Sequence, residues 1–99
     1  MIPKQIKVAG HVYKIQLMNK AWANDASRWG QCDCDEMIIR LAKGMRGSRR
    51  AETLLHEVLH AVYNVYNVGS ARTEEDIVTL LSTGLHQVLV DCPELKEHI

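Results

Sequence analysis

Arg49-Arg50-Ala51-Glu52-Thr53-Leu54-Leu55-His56-Glu57-Val58-Leu59-His60-Ala61-Val62-Tyr63 is the stretch on which the fold turns. Projected at about 100° per residue, Leu54, Leu55, Val58, Leu59, Ala61, Val62 and Val65 share one broad apolar arc. His56, His60 and Tyr63 cluster opposite, with Glu57 and Asn64 beside them. A core histidine would share the apolar arc, so this pair is expected to face away from the core. Two imidazoles four residues apart on a helix lie on one face, about 6 Å apart along the axis, within reach of one metal ion. Glu57 adjoins that face, placed as a general base for a water activated by the metal. The pattern therefore reads as metal-assisted hydrolysis if a third ligand comes from elsewhere in the chain, and as two exposed surface histidines if none does.

Ninety-nine residues, 46% of them apolar, are enough for one domain spanning 1–99 with a single core and modest stability, to which a bound metal would add. The formal net charge is zero, which excludes a global pull toward nucleic acid or an anionic membrane; neither is an expected partner. No apolar run approaches membrane-spanning length and Met1-Ile2-Pro3-Lys4-Gln5-Ile6-Lys7 lacks the hydrophobic stretch of a secretory signal, so the expected location is cytoplasmic. Cys32, Cys34 and Cys92 are an odd number, consistent with reduced thiols. Cys32-Asp33-Cys34 is too tight for the usual zinc knuckle, and small half-buried strand residues are preferred over a second site with His11.

The sheet is expected within 5–42. Ile6 to Leu17 alternates apolar and polar residues about Gly10-His11, which reads as a β-hairpin. Met18 to Arg28 has no period and reads as a loop with a short helical turn; Trp22 and Trp29 are expected as lids over the core. Gly30 to Leu41 gives two more strands about a solvated acidic turn at Asp35-Glu36. Lys43 to Arg50 is a basic loop in which Ser48 is expected to cap the histidine helix, 49–66, which stops near Asn67-Val68-Gly69.

Thr73-Glu74-Glu75-Asp76 has the form of a capping box and opens a second helix over 73–91, with Ile77, Val78, Leu80, Leu81, Gly84, Leu85, Val88 and Leu89 as its buried arc. A short link predicts antiparallel packing, which returns Glu74, Glu75 and Asp76 toward His60. Glu75 projects from the edge of the arc, where a cleft would open, and is the first candidate for the third ligand; Glu74 is the second.

Strands, then Thr53-Leu54-Leu55-His56-Glu57-Val58-Leu59-His60-Ala61, then Glu74-Glu75-Asp76-Ile77-Val78-Thr79 and the helix that follows: this set resembles the small zincin-like metallopeptidases of phages, prophages and bacteria. These are related in pattern to ImmA/IrrE-type metallopeptidases and minigluzincins. The resemblance spans Gly30 to Pro93. It implies an α+β, zincin-like fold, with a small, mostly antiparallel sheet packed on the histidine helix and a second, antiparallel helix carrying the ligand. It further implies one Zn²⁺ per chain on His56, His60 and Glu75, with Glu57 as the base acting on a peptide or protein substrate. Thr79 would support a ligand histidine, although the larger gluzincins carry an Asp there; Tyr63 could assist the oxyanion in part, with packing against the sheet as its preferred role. A monomer is expected, in the host cytoplasm if phage-encoded. The alternative is a latent or inactive zincin-like binding module of a phage or mobile element, its tail Leu95 to Ile99 folded over the site with His98 on the metal.

Overall fold

The computed structural model describes residues 2–26 and 28–98. Strands β1 (Gln5–Val8) and β2 (His11–Met18) form the first hairpin. Its tip is Ala9-Gly10 rather than Gly10-His11, because two successive left-handed residues, at φ 50° and 87°, give the twist that a two-residue turn requires. The segment after β2 is more ordered than its composition suggests: helix α1 (Lys20–Ala26) starts at Asn19, whose Oδ1 accepts from the Trp22 amide at 3.0 Å. Strands β3 (Gly30–Asp33) and β4 (Ile38–Ala42) make the second hairpin.

The sheet has the order β1-β2-β4-β3. Both hairpins are antiparallel, as expected, but they join through a parallel β2–β4 pair in register from Lys14 beside Ile38 to Met18 beside Ala42. The architecture is thus α+β with a mixed sheet. Alternation sends Ile6, Val8, Tyr13, Ile39 and Leu41 to one face, where they are buried.

Helix α2 (Gly47–Val65) covers that face through Leu54, Val58, Ala61 and Val62, all fully buried. Each such aliphatic side chain larger than alanine contributes about 1.5–3 kcal/mol on leaving water. Arg46, not Ser48, holds the cap position and makes no side-chain cap bond; Ser48 lies inside the first turn. The helix stops at Tyr66 and Asn67, the latter left-handed at φ 54°, ahead of a 3-10 turn at Val68–Ser70, so the stop is Asn67 rather than Gly69.

Helix α3 (Glu74–Asp91) opens as read, with Thr73 Oγ1 accepting from the Asp76 amide at 3.1 Å. Its second half is tied to β1 by Gln87, which accepts from the Ala9 amide at 2.7 Å and donates to the Lys7 carbonyl at 2.8 Å. The first half departs from the expected buried arc. Glu74 through Thr79 are all exposed, Ile77 by 41% and Val78 by 52%. The apolar stripe of α3 is longer than the surface it packs on, which begins near Leu80 and Leu81. Helix α4 (Pro93–His98) sinks Leu95 fully into the core beside Cys92. Trp29 is not a lid: it is 48% exposed, with the Arg49 guanidinium 5.6 Å from its ring centroid.

Helices α2 and α3 meet at Gly84, where a Cβ would lie 2.5 Å from Val62 Cγ1 and 2.9 Å from Tyr66 Cε2. Gly84→Ala should therefore destabilise the protein by about 1–3 kcal/mol in a denaturant titration. At a helix position with open space the same change would stabilise it by about 0.5–1 kcal/mol, so the sign tests the close approach.

Candidate metal centre

Burial of one side of α2 sets the roll of the helix, which leaves His56 and His60 exposed on the other. Their Nε2 atoms lie 3.2 Å apart, with the rings edge to face and their centroids 4.9 Å apart. Two nitrogens bound to one tetrahedral zinc at about 2.0–2.1 Å would be separated by about 3.3–3.4 Å. The pair is already spaced as two ligands of a single ion. Glu57 completes the cluster: its carboxylate and the two imidazoles offer ligand atoms that all lie within 4.8 Å of one another. His56, Glu57 and His60 could thus hold a metal ion, and imidazole with carboxylate is a donor set that suits zinc among other divalent cations.

Glu57 is only 6% exposed, the one charged side chain among the described residues that is buried. It fits there because Gly30, on β3, has no side chain. A Cβ at Gly30 would lie 3.0 Å from Glu57 Oε2 and 2.9 Å from Thr53 Cγ2. The strand's alternation sets Gly30 and Cys32 on one face and Gln31 and Asp33 on the other, where Arg40 Nη1 donates to both, at 3.0 and 3.3 Å. Sequence reading missed Gly30; a glycine opening a strand was the available signal, but its meaning depends on which helix lies across it.

Burial raises the Glu57 carboxyl above its usual value, and the nearby His56, His60 and Arg28 only partly offset this. The Cys32 thiol is pushed up to about 12 by burial, and further by Cys34, Glu57 and Asp33. A cleft of about 620 Å³ runs between the two elements. Arg28, Gly30, Gln31, Cys32 and Cys34 form one wall, and His56, Glu57, His60, Tyr63 and Asn64 the other. A smaller recess of about 300 Å³ lies beside the histidines, bounded by Leu59, Tyr63 and Leu81.

Of the remaining candidates, only Tyr63 borders this centre. Glu74 and Glu75 stand exposed in the first turn of α3, outside the group formed by His56, Glu57 and His60. Thr79 is exposed on the same stretch of helix. Tyr63 does not pack against the sheet: it is 51% exposed, lines both cavities and lies against Gly69, where a Cβ would be 2.9 Å from its hydroxyl. Among the described residues none from α4 lines the cleft, and the burial of Leu95 turns that helix into the core. The His98 side chain and Ile99 lie outside the described residues. His11 is exposed on β2 and joins no group with the cysteines among the described residues. No protein family, curated protein sequence or solved structure matches the chain.

A carboxyl whose folded-state pKa is raised stabilises the fold fully below its unfolded pKa, and that contribution is lost as pH rises through the folded value. The metal-free wild type should therefore lose stability relative to Glu57→Gln as pH rises above the usual 4.5. Thermal melts of both proteins across pH in the presence of chelator should show the variant ahead at neutral pH and the gap closing in acid. A constant gap would remove burial of the charge as its cause.

Proposed function

We propose that this chain is a zinc-dependent metallopeptidase of the zincin-like kind. The observation that carries the reading is the His56–His60 pair, with Nε2 atoms 3.2 Å apart and the Glu57 carboxylate beside them in one cleft. Bound to the two imidazoles, zinc would acidify a water and polarise a peptide carbonyl. Glu57 then acts on protons: it takes one from the attacking water and delivers it to the leaving amine. Its raised pKa favours this role, because a base that holds its proton more firmly passes through the protonated state at less cost. The open cleft suits an extended peptide, and the recess beside Leu59, Tyr63 and Leu81 suits an apolar side chain next to the scissile bond.

Glu75 would be the third ligand and Glu74 the second choice, both exposed on α3 outside the His56, Glu57 and His60 group. Thr79 would orient a ligand histidine from the same helix, and Tyr63, at the cleft rim, would donate to the oxyanion. A second reading, a zincin-like protein-binding module, draws on the exposed Ile77 and Val78 on α3.

Elemental analysis of the purified protein should find about one zinc per chain, lost in His56→Ala, His60→Ala and Glu75→Gln. Loss in Glu74→Gln instead would move the third ligand by one residue. Glu57→Gln should keep zinc and lower hydrolysis of an unfolded protein by about 10²–10⁴-fold. Zinc without hydrolysis in the wild type would support the binding module, and failure to take up zinc would end both metal readings of the histidines.

Gly30→Ala tests the seat of the base. The added methyl should displace the Glu57 carboxylate, so that turnover falls about tenfold or more while zinc content is unchanged. Unchanged turnover would show that the position of Glu57 does not depend on this contact.

A further inference from the structure

The cleft wall that faces the histidines carries chemistry which the hydrolytic reading does not use. Cys32, on β3, and Cys34, in the turn just past its end, are two residues apart, and both line the same cleft. Their sulfurs lie 3.7 Å apart in a thiol–thiol hydrogen bond and are not covalently bridged. That distance is far from the 2.0 Å of a disulfide bond, but it matches a different geometry. Two sulfurs bound to one tetrahedral cation at about 2.3 Å are separated by about 3.8 Å. Both thiols are half-buried and both line the cleft, so they are sheltered yet reachable from its mouth.

We propose that Cys32 and Cys34 form a second metal site, a two-thiolate chelate for a soft divalent cation such as zinc or cadmium, on the wall opposite His56 and His60. Each thiol releases its proton to solvent as its sulfur binds, so one cation displaces two protons and no oxidant or reductant is required. Solvent supplies the remaining ligands through the open cleft. The site is separate from the histidine centre: the cysteines do not belong to the group whose ligand atoms lie within 4.8 Å of one another. The cleft is thus a receptor with two pairs of donors, one of imidazoles and one of thiols, matched to the softer cations by the second. Cys92, buried on the far side of the core with its sulfur 4.0 Å from the Gln5 carbonyl, takes no part.

The test is a titration of the reduced, full-length protein with cadmium, read by the ultraviolet charge-transfer absorption of thiolate bound to cadmium. The expected result is a band that saturates at about one cadmium per thiol pair. It should persist in the double variant His56→Ala/His60→Ala and disappear in Cys34→Ser, a change at a half-exposed turn position that leaves Cys32 and the core in place. The absence of a band in the wild type, or its survival in Cys34→Ser, would overturn the proposal. Loss of the band in the histidine variant would also overturn it, by showing that thiols and imidazoles hold one ion together. A second measurement requires no substitution: cadmium should protect Cys32 and Cys34 together from alkylation, followed residue by residue in the wild type by mass spectrometry. Equal labelling with and without cadmium would refute the site.

Discussion

The burial of one side of α2 against the sheet is the constraint from which the rest of the molecule follows. Leu54, Val58, Ala61 and Val62 are removed from water together with Ile39 and Leu41 beneath them, and a helix held along such a line cannot roll. Everything else on α2 then has a fixed direction. His56 and His60 face solvent, Glu57 falls at the seam with β3, and Tyr63 stands between the cleft and the 3-10 turn. Rotation by one residue, about 100°, would bring an imidazole into the core and a valine out of it, at a cost of a few kcal/mol for the apolar burial alone.

The seam explains how a carboxylate can be buried beside two histidines. Gly30 yields the space, and the outward side of the same strand is held by Arg40 through Gln31 and Asp33. Strand and helix therefore share the work of the centre. The helix supplies the possible ligands, while the strand sets how far the Glu57 carboxylate stands from water. The resulting desolvation raises the Glu57 carboxyl and, with its neighbours, the Cys32 thiol, so that both groups are biased toward their neutral forms.

Periodic features were legible in the sequence because they depend on neighbours a few residues away. The two-residue period of Ile6, Val8, Tyr13 and Ile39 marked strands, the helical period around Leu54 and Val58 marked the buried side of α2, and Thr73 marked a helix start through its own side chain. What escaped was set by contacts between distant segments. No local pattern announces the parallel pairing of β2 with β4, the absence of a side chain at Gly30 as a seat for Glu57, or the approach of Gly84 to Val62. Ile77 and Val78 show the opposite failure: their apolar period is real, but the sheet and α2 do not extend far enough to cover it. The helix α1 was obscured by an aperiodic composition that one asparagine cap was enough to overcome.

Gln87 bonds to the backbone of Lys7 and Ala9 across sequence separations of 80 and 78 residues. Strand β1 leaves the ribosome long before the helix that secures its outer edge exists. At about 5–20 residues per second, that interval is on the order of 4–16 s. During it the hairpin displays an unprotected edge, and the sheet lacks the support of its last helices. The nascent chain must pass through this exposed interval before Gln87 can close on β1.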